Sequence, residues 1–405
     1  MRSNPVYRIL LGAAALTLVA SSAVSAQPEA QLPTDTRFPE EFGQTLLTSV
    51  VTNALDDEAA NALVVKTVRQ YHAKLGGRDK DPAANNNKKK NKDQPAGGIL
   101  AIGPMADTEH VTQAVLDVTG KFRPDLVVIS GGDGQTDASI ARSANNSVII
   151  DLGQPRPCLT STGQPDSTGE CTGSGSTISF NYSAVEFAVE DAAYLAGVVA
   201  ARLSRGSIGV ISGYEGCREC QRYVEGFING ARSVEPEIVI EIAYLSDDEI
   251  GGFSDAENAK TFTEAFIDVY QPDVILPVGR AATPGMIEAA CEADVWAVGT
   301  GWDVRATRPN LDCVMASVTK DVERGITDAM FLFASGQNPS VATYDLANGG
   351  VALTDEWSRI ATLPVDTDEF YQEADRMLRS GEVEACPDGC GGSIEVVTGA
   401  VATDD

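Results

Sequence analysis

The sequence predicts an α/β protein made of two doubly wound parallel sheets. Short apolar runs that end in glycine or a polar residue alternate with segments of helical period, and this alternation occurs twice along the chain. The clearest stretch begins at Ser207-Ile-Gly-Val-Ile-Ser-Gly213, after a helix predicted over 188–203. Parallel strands of this kind bind ligands beyond their carboxyl ends. The pattern therefore indicates two lobes with a binding role.

The first run of strands and helices occupies the first half of the chain. Its predicted helix over 56–75 has apolar residues at helical spacing and acidic residues in its first turn. A second helix is predicted over 107–119, with Asp107 or Thr108 as its N-cap. Strands are predicted over 45–51, 98–103, 124–132 and 147–152.

A polar segment over 76–98 interrupts this first run. It breaks all periodicity and contains Asn85-Asn-Asn-Lys-Lys-Lys-Asn-Lys92. Such low-complexity composition predicts a mobile surface insertion, and a basic docking patch is the alternative.

The second run continues from residue 207 to residue 303. A long helix over 321–335 and a strand over 350–353 follow it. Further strands are predicted within Asp273–Gly279, Val295–Asp303 and Ser317–Lys320.

The first 26 residues have the pattern of a secretion signal. Arg2 and Arg8 precede an apolar stretch over 9–20 that is too short to span a bilayer, and Val24-Ser-Ala26 suits signal-peptide cleavage. An uncleaved anchor helix is the alternative. We expect a signal peptide over 1–26, a loose leader over 27–41 and a flexible tail over 391–405. The mature protein is then soluble and exported to the periplasm or the cell exterior.

The composition is that of a globular, strongly acidic protein. Of 405 residues, 43% are hydrophobic and 22% are charged, and the net charge is -28. An excess of negative charge disfavours nucleic acid and anionic lipid as partners. A highly soluble surface without a specific acidic site explains the same charge.

Eight cysteines in an exported chain indicate disulfides. Proximity in sequence suggests the pairs Cys158–Cys171, Cys217–Cys220 and Cys386–Cys390, which leaves Cys291 with Cys313. Eight cysteines allow about 105 connectivities, so other pairings stay open. A zinc site or redox chemistry at Cys217 and Cys220 are alternatives.

Metal binding finds little support in the sequence. The chain has two histidines, His72 and His110, and neither lies near a second cysteine pair. We therefore expect no metal and no cofactor.

Several motifs together resemble one protein family. They are Phe187-Ala-Val-Glu-Asp-Ala-Ala-Tyr-Leu-Ala-Gly197, Gly226–Ala231, Gly252-Phe-Ser-Asp255, Gly279 with Gly285, Ser317-Val-Thr-Lys320, Asn348-Gly-Gly-Val-Ala-Leu353 and Ser380-Gly-Glu-Val383. With them, the chain resembles the basic membrane protein family of ABC-transporter substrate-binding proteins over 45–383. Characterised members of that family bind purine nucleosides.

The resemblance implies a type I periplasmic-binding-protein fold with three hinge crossings. We expect a first lobe of 42–179 with 305–340, and a second lobe of 180–304 with 341–390. It further implies a monomer that traps a nucleoside-like ligand between the lobes and delivers it to an ABC permease in the membrane.

The sequence departs from the family pattern at two positions expected to contact the ligand, and it also lacks the cysteine that carries the usual lipid anchor at the mature start. Where the family has Asp-Asp-Lys-Ser-Phe-Asn, this chain has Asp56-Asp-Glu-Ala-Ala-Asn61, so the aromatic residue is lost at Ala60. Gly301 replaces an aspartate and leaves Trp302-Asp303. These departures weaken the purine-nucleoside assignment more than the fold assignment.

Candidate ligand residues follow from the resemblance and from ligand chemistry. Hydroxyl groups need charged or amide partners, and a ring needs a flat apolar face. Lys320 is a ligand residue by resemblance, and Asp303 can stand in for the lost aspartate. An ion pair between Asp303 and Lys320 without ligand is the alternative. Asp57 and Asn61 come from the aligned opening segment, and a local cap is the alternative role for Asn61.

Aromatic residues and glycines complete the candidate set. Trp302 can stack on a ring at the cleft mouth, and Phe187 can line the cleft, although packing in the core suits both residues equally. Gly131, Gly132 and Gly279 end strands where the backbone can approach a ligand closely, and tight turns explain them as well.

Catalysis is not expected. The sequence has no phosphate-binding loop and no histidine near a serine or cysteine nucleophile. Two other functions remain as alternatives, namely a two-lobed sensor that signals to a membrane receptor and, from a different class, a secreted hydrolase.

Overall fold

The structure is a computed structural model. It describes residues 46–56, 58–79, 97–132, 134–144, 147–153, 157–166, 172–173, 181–337, 341–387 and 389–390. The predicted signal peptide, leader and tail lie outside the described residues, and so does Asn85–Lys92 of the predicted insertion. No helix in the described ranges combines the length and apolar character that a membrane crossing requires.

A six-stranded parallel sheet flanked by helices forms the first lobe. Its elements are β1 (Leu47–Asn53), α1 (Glu58–Lys74), β2 (Gly98–Met105), α2 (Thr108–Lys121), β3 (Leu126–Ser130), α3 (Gly134–Ser143), β4 (Val148–Leu152), β5 (Tyr182–Phe187), α10 (Val322–Ala334) and β11 (Val341–Tyr344). Side chains of β1 alternate between two cores: Val50 packs in one apolar cluster with Val64 of α1, and Val51 packs in another with Val111 of α2. Helices therefore cover both faces of the sheet.

A second sheet of the same construction forms the second lobe. Its elements are α4 (Val189–Leu203), β6 (Ser207–Ser212), α5 (Arg218–Val234), β7 (Val239–Tyr244), α6 (Glu249–Phe253), α7 (Ala256–Tyr270), β8 (Val274–Val278), α8 (Thr283–Glu292), β9 (Trp296–Gly301), α9 (Val304–Thr307), β10 (Val314–Lys320), β12 (Val351–Leu353) and α11 (Thr367–Ser380). All of its strands are parallel except β12, which pairs antiparallel with β10.

Strand order gives each sheet one position at which the direction of strand addition reverses. The first sheet runs β11-β5-β4-β3-β1-β2 and the second runs β12-β10-β9-β8-β6-β7. In each, the chain starts inside the sheet, adds one strand on one side and the remaining strands on the other. The reversal lies between β1 and β3 in the first sheet and between β6 and β8 in the second. Ligands of doubly wound sheets bind at the carboxyl ends next to such a reversal.

The expected lobe boundaries need correction at three strands. β5 and β11 were expected in the second lobe, yet β5 pairs with β4 and β11 pairs with β5 in the first sheet. β10 was expected in the first lobe, yet it pairs with β9 in the second sheet. The chain changes lobes only after each of these strands is complete, because hydrogen bonding to a neighbouring strand fixes its whole length in one sheet.

Three chain crossings connect the lobes. They run from Phe187 to Val189, from Lys320 to Val322, and from Tyr344 to Val351. Backbone hydrogen bonds tie them together, since Ala188 N donates to Tyr344 O at 2.8 Å and Asp321 N donates to Gly350 O at 2.9 Å. All three leave from β5, β10 or β11, so the hinge lies at one end of both sheets.

Helices α4 and α5 pack with their backbones in contact. A Cβ atom on Gly230 would lie 1.9 Å from Tyr194 O, and one on Gly197 would lie 2.0 Å from Phe227 O. No side chain fits at such a distance. The glycines of the segment Gly226–Ala231 therefore serve helix packing.

We expect the hinge to make stability depend on pH through Asp191, in the first turn of α4. Burial, with Glu190 as a further cause, raises the pKa of Asp191 to about 6 from 3.8. At a pH between these two pKa values, Asp191 is protonated in the folded state and ionised in the unfolded chain. Stability should therefore fall as pH rises from about 4 to about 6, by up to about 3 kcal/mol.

Asp191→Asn removes this titration and keeps an oxygen acceptor. Its melting temperature should exceed that of the wild type at pH 7.5 and should approach it at pH 4. Thermal unfolding across this range measures the difference. Asp312→Asn is the control, because the Asp312 side chain is 88% exposed. A difference between Asp191→Asn and wild type that does not change with pH would refute the prediction.

Candidate ligand cleft

A cavity lies between the lobes, where the carboxyl ends of the two sheets face each other. Its residues from the first lobe and the hinge are Asp56, Ala60, Val64, Ser130, Gly131, Leu152, Gly153, Phe187 and Val322. Its residues from the second lobe are Glu219, Cys220, Tyr223, Val278, Arg280, Thr300, Gly301, Trp302 and Lys320. The cavity thus joins apolar and aromatic surface with five ionisable side chains.

The strand reversal of the first sheet positions Asp56. This residue follows β1, and the adjacent strand β3 ends at Ser130, with Gly131 directly after it. Ser130 Oγ donates to Asp56 Oδ2 at 3.3 Å. Gly131 has φ +77°, and a Cβ there would lie 2.7 Å from Asp56 Oδ2. Glycine is required here both by the backbone conformation and by the carboxylate beside it.

Lys320 and Glu219 form a close ion pair at the wall of the cavity. Lys320 ends β10, and Glu219 lies in the first turn of α5. Lys320 Nζ donates to Glu219 Oε1 at 2.7 Å, and their side chains are only 19% and 24% exposed. A carboxylate is favourable near a helix N-terminus, which adds to the stability of Glu219 as an anion.

Arg280 lies among three carboxylates. It follows β8, at the strand reversal of the second sheet, and has φ +46°. Its Nη1 is 3.8 Å from Asp56 Oδ1 and 3.5 Å from Glu249 Oε1, and its Nη2 is 3.7 Å from Glu219 Oε2. The guanidinium also lies 4.8 Å from the centroid of the Phe253 ring. The Arg280 guanidinium is therefore held in the cleft by ion pairs whose N–O distances exceed those of hydrogen bonds.

The charged side chains of the cavity shift one another's pKa values. Burial disfavours the charged form of Lys320, but Glu219, Tyr223 and Asp56 together outweigh burial and raise the pKa of Lys320. Burial acts to raise the pKa of Glu219, yet Lys320 and Arg280 together hold that pKa below its usual value. Burial raises the pKa of Asp56, and Arg280 offsets only part of this effect. The cleft therefore keeps Lys320 and Glu219 ionised near neutral pH.

Aromatic side chains supply flat surface beside this ion pair. Phe187 ends β5, and its ring centroid lies 5.9 Å from Lys320 Nζ and 5.5 Å from the ring centroid of Tyr344. Tyr223 lies one turn after Glu219 on α5, and burial raises its pKa to about 12, so its phenol stays neutral. Trp302 lines the cavity and also packs against an apolar cluster of the second lobe.

Four of the sequence-predicted ligand residues lie at this cavity: Gly131, Phe187, Trp302 and Lys320. Phe187 and Trp302 also pack in apolar clusters, so each lies both at the cavity and against a core, and their ligand roles stay predictions. Lys320 has Glu219 as its ion-pair partner, where the sequence suggested Asp303.

The other predicted ligand residues have contacts elsewhere. Asn61 Nδ2 donates to Asn53 O at 2.7 Å, and Asp303 Oδ1 accepts from Ala306 N at 2.9 Å as the N-cap of α9. Gly279 N donates to Thr283 Oγ1 at 3.0 Å. A Cβ on Gly132 would lie 2.2 Å from Asp137 Oδ2. Asp57 lies outside the described residues.

Disulfides join three of the cysteine pairs that the sequence suggested. They are Cys217–Cys220, Cys291–Cys313 and Cys386–Cys390. Cys158 is also disulfide-bonded, and Cys171 lies outside the described residues. The pair Cys217–Cys220 spans the start of α5, where Cys217 Sγ accepts from Cys220 N at 3.2 Å. It flanks Glu219 on both sides and so constrains the turn that carries this carboxylate.

Sequence reasoning missed Asp56, Glu219 and Arg280. Position after a strand was an available signal for two of them, since Asp56 follows β1 and Arg280 follows β8. Glu219 lies between the two cysteines of Cys217-Arg-Glu-Cys220, a segment interpreted from the sequence only as a disulfide, with zinc or redox chemistry as alternatives.

Two hinged α/β lobes with a polar cavity at their facing strand ends define a solute-binding protein of the periplasmic-binding-protein fold. A family model described as ABC transporter substrate-binding protein PnrA-like, the Bmp family, matches residues 48–380. The chain belongs to this family, which confirms the resemblance seen in the sequence.

Two relatives are each 32% identical to the chain within a matched region that covers part of both proteins. The ABC transporter nucleoside-binding protein BmpA of Lactococcus lactis is 32% identical over 190 residues, 43% of this chain and 52% of that protein. Basic membrane protein A of Borreliella burgdorferi is 32% identical over 158 residues, 38% of this chain and 43% of that protein. The matched regions thus span about half the length of these relatives.

Solved structures share the fold. An ABC transporter solute-binding protein from Aeropyrum pernix has a TM-score of 0.61 at 16% identity, covering 84% of this chain and 92% of that one. One from Agrobacterium vitis, bound to alpha-D-tagatopyranose, has a TM-score of 0.54 at 12% identity, covering 80% and 98%. The predicted fold class is confirmed.

Proposed function

We propose that this chain is the extracytoplasmic solute-binding protein of an ABC importer and that its ligand is a purine nucleoside. The observation that carries the proposal is the cavity between the lobes, where the Lys320–Glu219 ion pair lies beside aromatic surface. A nucleoside needs both kinds of contact, because its ribose has hydroxyl groups and its base has a flat face. The nucleoside-binding relative from Lactococcus lactis supports the same ligand class.

The proposed roles follow from the chemistry of each side chain. Lys320 donates to ribose hydroxyls and Glu219 accepts from them, as charge-assisted hydrogen bonds in a partly dry site. Phe187 and Trp302 pack against the base. Both lobes then contact the ligand, so binding favours the closed arrangement, which a membrane permease recognises.

An oxidising compartment outside the cytoplasm is part of the proposal. The signal pattern of the first 26 residues supports it, and so do the three disulfides of the described residues. We further propose that the exported protein acts as a monomer.

Thermal unfolding with a ligand panel tests the proposal. The panel contains adenosine, guanosine, inosine, cytidine, uridine, ribose, galactose and phenylalanine. A ligand that binds only the folded state stabilises it by about 2.7 kcal/mol at a hundredfold excess over Kd. We expect purine nucleosides to raise the melting temperature more than any other compound.

The same samples separate the alternatives. A panel in which no nucleoside raises the melting temperature would remove the proposed ligand class. Release of free base from a nucleoside by the purified protein, lost in Lys320→Met, would show a hydrolase instead. A sensor would bind a solute and associate with a receptor domain rather than with a permease.

A further inference from the structure

Polar contacts cross the cleft at the edge farthest from the hinge. The crossings leave from β5, β10 and β11, whereas β2 and β7 are the strands at the opposite edges of the two sheets. Thr108 follows β2 and begins α2 of the first lobe, and Glu249 follows β7 and begins α6 of the second. Thr108 Oγ1 donates to Glu249 Oε1 at 2.6 Å.

Two further contacts stand beside this hydrogen bond. Ala281 N of the second lobe donates to Leu55 O of the first at 3.0 Å. Arg280 Nη1 lies between Glu249 Oε1 at 3.5 Å and Asp56 Oδ1 at 3.8 Å. Glu249 therefore accepts from one lobe through Thr108 and is held in the other by Arg280.

The hydrogen bond between Thr108 and Glu249 lies outside the lining of the cavity. Thr108 and Glu249 are absent from the residues that line the described cavity. The Thr108 hydroxyl is also 3.4 Å from Gly131 O, at the end of β3, which places it against the backbone of its own lobe. The Thr108–Glu249 hydrogen bond therefore joins the lobes beside the cavity rather than across its lining.

We propose that Thr108, Glu249, Arg280 and Asp56 form an interlobe clasp that holds the cleft closed and sets the rate at which ligand leaves. In this clasp, Thr108 and Glu249 hold the two lobes together through their hydrogen bond. The hinge allows rotation at one end of the sheets, and the clasp opposes it at the other. A ligand can leave only when the clasp opens, whereas it enters an open cleft before the clasp forms. The part that concerns ligand release rests on the proposed function.

Thr108→Val tests the clasp, because it removes the hydroxyl and keeps the shape. A hydrogen bond to a charged acceptor contributes enough to change a rate about tenfold. We expect guanosine to dissociate about tenfold faster from this variant, with an association rate within about twofold of the wild type. Thr108→Ser keeps the hydroxyl and should dissociate at the wild-type rate. Thr119→Val is the control on the same helix, since Thr119 Oγ1 bonds only within that helix, to Val115 O and Leu116 O.

A measurement without ligand separates the clasp from the proposed function. Small-angle X-ray scattering should give a larger radius of gyration for ligand-free Thr108→Val than for ligand-free wild type and Thr119→Val. Glu249→Ala should show the same expansion, which keeps the test open if Thr108→Val folds poorly. If adenosine, guanosine and inosine all fail to bind any form, the purine-nucleoside proposal fails while scattering still decides the clasp. Unchanged scattering in both clasp variants would overturn the clasp.

Discussion

Replacing Lys320 by methionine should lower the affinity for the nucleoside at least about a hundredfold. The Lys320–Glu219 ion pair is largely buried at the cavity wall, with 2.7 Å between Nζ and Oε1. Truncation of Lys320 removes a charged donor to the ligand and leaves the buried Glu219 carboxylate with Arg280 beside it at 3.7 Å. Truncating one partner of a buried charge pair costs about 2–5 kcal/mol or more. Isothermal titration calorimetry with guanosine measures the loss.

A second substitution distinguishes binding from folding. Lys320→Met combined with Glu219→Gln removes both charges, so the double variant should recover stability toward that of the wild type without recovering affinity. Lys260→Met is the matched control, because Lys260 pairs with Glu288 and Glu292 on the surface of the second lobe. Wild-type affinity in Lys320→Met would show that the ion pair does not contact the ligand.

Gly230→Ala should reduce the free energy of unfolding by about 3 kcal/mol, at the upper end of the usual range for overpacking. The added Cβ would lie 1.9 Å from Tyr194 O, and a backbone oxygen can move away only if the whole of α4 moves. Urea unfolding followed by circular dichroism measures the change.

Gly120→Ala provides the comparison in a helix without such an obstacle. A Cβ on Gly120 of α2 meets nothing within 4 Å. This variant should be more stable than the wild type by about 0.5–1 kcal/mol, because alanine favours helix. Equal stability of Gly230→Ala and wild type would contradict the backbone contact between α4 and α5.

Much of the fold could be predicted because its strands are buried on both faces. Apolar runs marked β3 and β4, and the mixed run of β1 carries Leu47, Val50 and Val51. Each strand lies within two or three residues of its predicted position. Two strands of the first sheet were not predicted. β11 has only four residues, Val341–Tyr344, and β5 (Tyr182–Phe187) runs almost directly into helix α4. Short strands at a lobe crossing carry too little periodicity to show which sheet they join.

Only part of the candidate site could be predicted, because its residues differ in how their position is encoded. Lys320 and Phe187 lie at strand ends inside recognisable motifs, so their position was visible in the sequence. Arg280 gains its role from three carboxylates on other elements, namely Asp56, Glu219 and Glu249. Such a cluster depends on how the lobes close, and spacing along the chain does not encode it.

The way the chain divides between the two sheets has a consequence for folding during synthesis. β11, which pairs with β5, is made more than 150 residues after it, when nearly all of the second lobe has already left the ribosome. The first sheet therefore stays one strand short until residue 344 emerges, and its unpaired edge needs protection during that interval. A gene cut between the lobes would yield two incomplete sheets, so neither half should be obtained as a stable fragment.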